Sequence, residues 1–188
     1  SRIIIGSAHW EDDEFLIPAL AGIMKSKPDL KILYAPHEPD VTEIERIQTK
    51  FSEHGFASSV FRKKRSLKLP EDRVVILGVV GVLSKLYWQG QITYVGGGFS
   101  TGIHNVMEPA IARLPVIFGP KYHHAHEAEE LLENGGGFCI NNGHEFQTVL
   151  ERLISDDEHF LKASFSATNV IHKNLGSSTR IIRSLIRD

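Results

Sequence analysis

A single α/β domain, with a largely parallel sheet covered by helices on both faces, is the fold this sequence predicts. Short β-branched runs alternate with segments of helical periodicity along most of the chain, and alternating β and α units pack as a parallel sheet between helix layers. With 188 residues the chain can bury roughly 70% of the surface its unfolded form exposes, enough for one sizeable core. Hydrophobic residues make up 41% and charged residues 23%, a balance that excludes wholesale disorder. No solenoid-period repeat, low-complexity tract or Pro/Ser-rich linker divides the chain, so residues 1–188 read as one domain.

Taken in order, the first strand is read at 3–5, three consecutive isoleucines. The helical pattern after it contains Pro18, which lacks an N–H and crowds the preceding turn, so that helix is expected to start late or to kink. Glu11, Asp12, Asp13 and Glu14 have the look of a paired-carboxylate site, but the helix dipole alone accounts for acidic residues at a helix start. A strand at 31–35 leads to a helix carrying Ile44, Ile47 and Phe51 at i, i+3 and i+7. Next comes a strand at 57–61, then Arg62, Lys63, Lys64 and Arg65, a dense cationic run read as a solvated loop. Further strands are read at 73–77, 92–95 and 115–118. Gly135, Gly136 and Gly137 end a helix and turn into the last strand, 137–140, where Cys139 reads as a small buried hydrophobe. Phe146, Val149, Leu150, Leu153 and Ile154 form one amphipathic face. The final stretch, with Ile181, Ile182, Leu185 and Ile186, carries an apolar stripe that needs a partner surface. Trp10 and Trp88 read as packing residues, and His9 and His144 as loop residues without a signal.

Lys and Arg total 21 against 23 Asp and Glu, a formal net charge of -2, whereas phosphate-backbone binding leaves a clear basic excess. Nucleic acid is therefore not an expected partner. The single cysteine cannot form an intrachain disulfide, and no thiol cluster points to zinc, so a reducing compartment is expected. No apolar run approaches the roughly 18 residues that span a bilayer. The start, Arg2, Ile3, Ile4, Ile5 and Gly6, runs straight into acidic residues and is no signal peptide. It reads as a strand already under way, in a chain expected to be cut from something longer. His123 with Glu127, or His126 with Glu130, has i, i+4 spacing that a metal can use. No third ligand is identifiable by spacing, and His123, His124 and His126 are read as surface histidines.

In a parallel sheet of this kind a ligand sits beyond the carboxyl ends of the strands, at the topological switch point. The richest loop there follows strand 92–95: Gly96, Gly97, Gly98, Phe99, Ser100, Thr101, Gly102, Ile103, His104, Asn105, Val106, Met107, Glu108 and Pro109. Glycines allow close backbone approach to a ligand. Ser100, Thr101 and Asn105 are expected to cap the following helix, whose positive end favours phosphate. Glu108 is expected about one turn inside that helix, where a carboxylate accepts from ribose hydroxyls. The loop lacks the Gly-Lys-Ser/Thr of a Walker loop and comes too late in the chain for the usual dinucleotide fingerprint. Its position favours a nucleotide-sugar over NAD.

The stretch 95–120, with Gly-Gly-Gly-Phe, Gly-Ile-His-Asn-Val-Met-Glu-Pro and Leu-Pro-Val-Ile-Phe-Gly-Pro, resembles the donor-binding half of the 3-deoxy-D-manno-octulosonate (Kdo) transferases, GT-B glycosyltransferases of lipopolysaccharide synthesis. Other segments agree in order: Gly6 and Ser7 before Glu11 and Asp12; Pro36, His37, Glu38 and Pro39; Val80, Gly81 and Val82; and Asn174 to Ser178. The resemblance implies the Rossmann-like C-terminal domain of a GT-B enzyme that moves Kdo from CMP-Kdo to a lipid A precursor, with no cofactor and no metal. It implies that CMP-Kdo is held by Ser7; by Pro36 and His37; by Val80, Gly81 and Val82; and by Asn105, Val106, Met107 and Glu108. It places the catalytic base, the acceptor surface and the membrane contact in an N-terminal domain absent from this chain. The parent enzyme is then expected at the cytoplasmic face of the inner membrane, and this chain alone to be soluble and inactive. Ala8 and His9 stand where that pattern carries Thr-Trp, Gly78 and Val79 where it carries an Asp, and Val82 where it carries Glu or Met. Two other readings stay open: half of a GT-B enzyme using a UDP- or GDP-sugar, and a non-catalytic α/β module that binds phosphate or a protein partner.

Overall fold

The computed structural model describes residues 1–65 and 67–185. Seven strands form one sheet: β1 (Arg2–Ala8), β2 (Lys31–Pro36), β3 (Ser58–Phe61), β4 (Val74–Leu77), β5 (Ile92–Val95), β6 (Val116–Phe118) and β7 (Gly137–Cys139). Each of the seven overlaps a strand expected from the β-branched runs. The helices are α1 (Trp10–Ser26), α2 (Val41–Glu53), α3 (Leu83–Leu86), α4 (Met107–Ile111), α5 (His126–Asn134), α6 (Gly143–Ser155) and α7 (Asp157–Leu185), with a 3-10 turn at Tyr87–Gln89.

Strand order is β3-β4-β2-β1-β5-β6-β7 and every pair is parallel. The chain winds outward from β1 to β2, then returns across the sheet to place β5 on the other side of β1. The switch point thus lies between β1 and β5, and the crevice opens at their carboxyl ends. Alternation along β1 sends Ile3 and Ile5 to one face and Ile4 to the other. Ile3 and Ile5 join Leu16, Leu20, Ile47, Phe51, Phe146 and Leu150 from α1, α2 and α6. Ile4 joins Leu33, Val75, Leu86 and Leu114, and beyond it α5 and α7 cover Val95, Val116 and Phe118 with Ala128, Leu131, Ala167 and Val170.

Three expectations need correction. Helix α1 does not start late: it runs continuously from Trp10 past Pro18. Pro18 and Glu14, whose carbonyl loses its helical partner, both lie on the exposed side, where water can satisfy that oxygen, while Leu16, Ile17, Leu20 and Ala21 anchor the buried side. Trp10 and Trp88 do not pack; each is 61% exposed. Cys139, at the end of β7, is half-buried rather than enclosed. The cationic run Arg62 to Arg65 is exposed, as expected. The side chains of Ile181, Ile182 and Leu185 and of Asn174 to Ser178, and the whole of Ile186, lie outside what is described.

Candidate functional site

The mouth of the crevice is built from three strand ends. β1 closes on a register irregularity between Ile5 and Ala8, and within it Ser7 has φ 53, the left-handed region that costs a non-glycine residue about 1 kcal/mol or more. That bulge turns the chain so that Ala8 carbonyl accepts from the His37 backbone N–H at 2.8 Å, tying the β1 and β2 loops together. On the other flank the Gly96 N–H donates to Gly6 carbonyl at 2.8 Å and the His104 N–H to Gly96 carbonyl at 3.1 Å. The glycine loop therefore folds back against β1.

Beneath this mouth sit two carboxyl groups that the helix dipole does not account for. Asp12 and Asp13 are fully buried. Asp12 accepts from the backbone N–H of His9 at 2.9 Å, from the Gly97 N–H at 3.0 Å and from the Tyr94 hydroxyl at 2.7 Å. Asp13 accepts from the Tyr34 hydroxyl and pairs with Arg46, which also bonds Glu43. Burial pushes both tyrosine hydroxyls well above their ordinary range and the nearby carboxyls add to it, so both remain donors. Glu14, by contrast, is exposed and pairs with Lys50.

Burial raises the Asp13 carboxyl from 3.8 to about 6, against the hydrogen bonds from Tyr34 and Arg46 that pull it down. A carboxyl whose folded value lies above its unfolded one contributes stability that is fully present below the unfolded value and lost as pH rises through the folded one. The stability advantage of this chain over Asp13→Asn is thus expected to shrink by about 3 kcal/mol from roughly pH 3.5 to pH 7. Urea melts of both proteins across that range measure it; a flat difference refutes the burial account.

Three imidazoles crown the mouth. His9 and His37 stack with centroids 4.4 Å apart, His37 and His104 at 4.5 Å, and His9 and His104 at 5.1 Å, all within 24° of parallel. The Nε2 atoms of His9 and His104 lie 2.8 Å apart. Burial first, then the other two imidazoles, holds His104 below the ordinary histidine value. Beside them a cleft of about 400 Å³ is lined by His9, Trp10, His37, Thr101 and the acidic Glu38, Asp40 and Glu43. A smaller cleft of about 170 Å³ opens between the ends of β1, β2 and β4.

That smaller cleft gathers Ser7, Pro36, His37, Val80 and Gly81, five of the expected site residues, with Ala35, Pro39 and Leu83. Gly81 has φ 83, which keeps its turn open to the cleft where a side chain would strain the backbone. Val82 is buried and precedes α3, its side chain in the core. Asn105, Val106, Met107 and Glu108 line neither cleft. Glu108 is exposed at the second position of α4, not a turn inside it, since α4 is only Met107–Ile111. Its charge reaches the buried Tyr87 hydroxyl, which itself lies against Gly6 at the mouth. Ser100 and Thr101 do not cap α4: Ser100 Oγ donates to Gly97 carbonyl, within the glycine turn. Asn105 does serve the helix start, its Oδ1 accepting from the Met107 N–H at 2.8 Å.

Sequence reading missed His9, the buried Asp12 and the tyrosines that bond the two aspartates. The available signal was a tyrosine within each of two largely apolar strands, β2 and β5, matched by paired aspartates in α1. The surface histidines behave as expected: His123 and His126 are exposed beside Glu129 and Glu130, and His124 reaches the Ile103 carbonyl. Among the described residues no helix is long and apolar enough to cross a membrane.

No profile of a known protein family matches the chain. It is 34% identical over 155 residues to the 3-deoxy-D-manno-octulosonic acid transferase of Aquifex aeolicus, covering 81% of this chain and 42% of that protein. The enzyme of the same name from Rickettsia felis is 25% identical over 154 residues, with 32% of its length covered. The chain thus spans less than half the length of these relatives. In fold it matches the C-terminal CMP-Kdo binding domain of WaaA from Acinetobacter baumannii, with a TM-score of 0.78 at 19% identity over 91% of this chain and 89% of that one. Anabaena Alr3699/HepE, solved with UDP-glucose, gives a TM-score of 0.68 at 16% identity, with 49% of its chain covered.

Proposed function

Because this chain is a homologue of the 3-deoxy-D-manno-octulosonic acid transferases and has the fold of a GT-B C-terminal domain, we propose that it is the donor-binding part of a transferase that moves Kdo from CMP-Kdo to a lipid A precursor. What supports this is the smaller cleft, where Ser7, Pro36, His37, Val80 and Gly81 come together at the carboxyl ends of three parallel strands, the place where this architecture binds nucleotides. The backbone of the Val80–Gly81 turn and the ring of His37 offer donors to phosphate and cytosine oxygens. Glu108, whose charge reaches the Tyr87 hydroxyl against Gly6, is assigned to the ribose, and Asn105 to holding the start of its helix.

In the transfer, an acceptor hydroxyl oxygen attacks the anomeric carbon of Kdo as the bond to CMP breaks. A base takes the hydroxyl proton, and CMP leaves as a phosphate monoester. This chain's residues hold the leaving group. The base, the acceptor surface and the contact with the inner membrane are assigned to the part of such an enzyme that the chain does not span. On that assignment the isolated chain binds the donor and transfers nothing.

Calorimetric titration with CMP, UMP and inorganic phosphate tests this. CMP is expected to bind at least about tenfold more tightly than UMP, and Glu108→Ala to weaken CMP by about tenfold or more. Equal binding of all three ligands favours a phosphate-binding α/β module instead. CMP binding that ignores Glu108→Ala keeps the donor class and removes Glu108 from the site.

A further inference from the structure

We propose that the sheet face covered by the β3–β4 crossover, α3 and the 3-10 turn is a docking surface for an anionic lipid membrane. Charge is divided unevenly over this molecule. Seven of the 21 Lys and Arg but only two of the 23 Asp and Glu lie between 62 and 91. Arg73 turns inward, onto the Met24 and Lys27 carbonyls. The other six, Arg62, Lys63, Lys64, Arg65, Lys68 and Lys85, are all exposed. The helix layer on the opposite face, α1, α2 and α6, carries nine acidic residues against four basic ones. A chain of net charge -2 is therefore polarised, positive on one side of its sheet and negative on the other.

The positive side is one continuous layer. Leu67 and Leu69 of the crossover pack with Leu83, Leu86 and Tyr87 over Leu33 and Val75. Gln89 Nε2 donates to the Leu67 carbonyl at 2.8 Å, which joins the crossover to the 3-10 turn. In that turn Trp88 stands 61% exposed, beside Arg2. An indole in water on a surface with a cationic excess suits the boundary of a bilayer. There the ring sits at headgroup level and the cations meet lipid phosphates.

Two other occupants fit less well. Single-stranded nucleic acid stacks successive bases on several aromatic side chains along a cationic groove. Among the described residues from 62 to 91, Trp88 is the only exposed aromatic. A free phosphate needs donors that converge on one point, whereas these cations are spread from the crossover to α3. Leu83 belongs both to this layer and to the lining of the smaller cleft. On the donor reading above, docking holds that cleft's edge at the lipid surface, within reach of a lipid-borne acceptor. The contact adds to the one assigned to the part that the chain does not span, and departs from the expectation that only that part meets the membrane. It does not depend on which nucleotide the cleft takes.

The test is co-sedimentation of the chain with vesicles of phosphatidylethanolamine and about 30% phosphatidylglycerol, in nucleotide-free buffer. Vesicles with phosphatidylcholine in place of phosphatidylglycerol are the comparison. Binding to the anionic vesicles is expected to be at least about tenfold tighter, and to be lost at about 0.5 M salt. Lys63→Gln/Lys64→Gln is expected to weaken it about tenfold or more. Lys25→Gln/Lys27→Gln removes the same charge at the end of α1 in the acidic layer, and is expected to change it less than about twofold. In a Trp10→Phe background Trp88 is the one tryptophan left, and its emission is expected to shift to the blue on anionic vesicles. All these side chains are exposed, so the core stays intact, and circular dichroism checks every variant. Absence of binding overturns the surface, as do equal binding to both vesicles, equal losses in the two lysine pairs, or an unshifted Trp88. A single-stranded oligonucleotide bound as tightly overturns the choice of lipid, and displacement by millimolar inorganic phosphate overturns it in favour of a free-phosphate site. Since no nucleotide sugar is present, the result stands apart from the CMP titration.

Discussion

Asp12→Ala is expected to lower the unfolding free energy by about 5 kcal/mol, the largest effect of any single side-chain truncation at this site. Its carboxyl is fully buried and takes three hydrogen bonds, from the His9 N–H, the Gly97 N–H and the Tyr94 hydroxyl. Truncation leaves all three donors without their acceptor in the interior, and each such loss costs about 1–3 kcal/mol. Asp12→Asn separates this account from simple loss of packing. With its carbonyl oxygen toward the two backbone donors, an amide keeps both of those bonds and turns its NH₂ toward the Tyr94 oxygen, which can accept. That variant is expected to lose about 1–2 kcal/mol. Urea midpoints of both variants make the comparison. Equal losses for Ala and Asn would show that the charge matters more than the three bonds.

Gly96→Ala is expected to cost about 4 kcal/mol and to open the mouth of the crevice. A Cβ on Gly96 would meet Ser7 carbonyl oxygen, and would stand 2.6 Å from the Ala8 Cα and 2.7 Å from the Ser7 carbonyl carbon. All three neighbours are backbone, and they belong to the β1 bulge that is already strained at Ser7. No side-chain rotation can relieve the contact; β1 and β5 must separate at the switch point. Gly22 is the control, because nothing lies within 4 Å of a Cβ there and the position is helical; Gly22→Ala is expected to be neutral or stabilising by about 1 kcal/mol. Thermal or urea unfolding measures both. A Gly96→Ala protein as stable as the parent would mean that the mouth is plastic and that the loop closes on β1 by a different route.

The relation between this chain and its relatives gives these two positions a wider meaning. The match to the Aquifex aeolicus transferase covers 42% of that protein, and the match in fold extends to a protein solved with UDP-glucose. At the switch point of this sheet Asp12 and Gly96 hold the loops of β1 and β5 against each other. Substitutions there are expected to act on stability and on ligand binding together, whereas Glu108, exposed on α4, should affect binding alone.

The seven strands, their parallel arrangement and the site of the glycine loop follow from the amino-acid sequence by itself. Each depends on local information: β-branched runs of four or so residues, glycines and prolines that bound them, and apolar spacing such as Ile44, Ile47 and Phe51 that fixes a helix face. Ser7, Pro36, His37 and Gly81 are singled out by the resemblance, and the strand positions put them at or just past their strand ends. Local rules failed where a side chain's meaning depends on partners far along the chain. Asp12 looks like a dipole-favoured residue at a helix start until β5 arrives to place Tyr94 and Gly97 against it, 82 and 85 residues away. His9 is an unremarked loop residue until it meets His104, 95 residues away. Pro18 is a helix breaker unless its face of the helix is turned to water. Only the tertiary structure decided these cases, because strand order and register bring polar groups from β1, β2 and β5 to one edge, and no periodicity within a single segment records which segments will be neighbours.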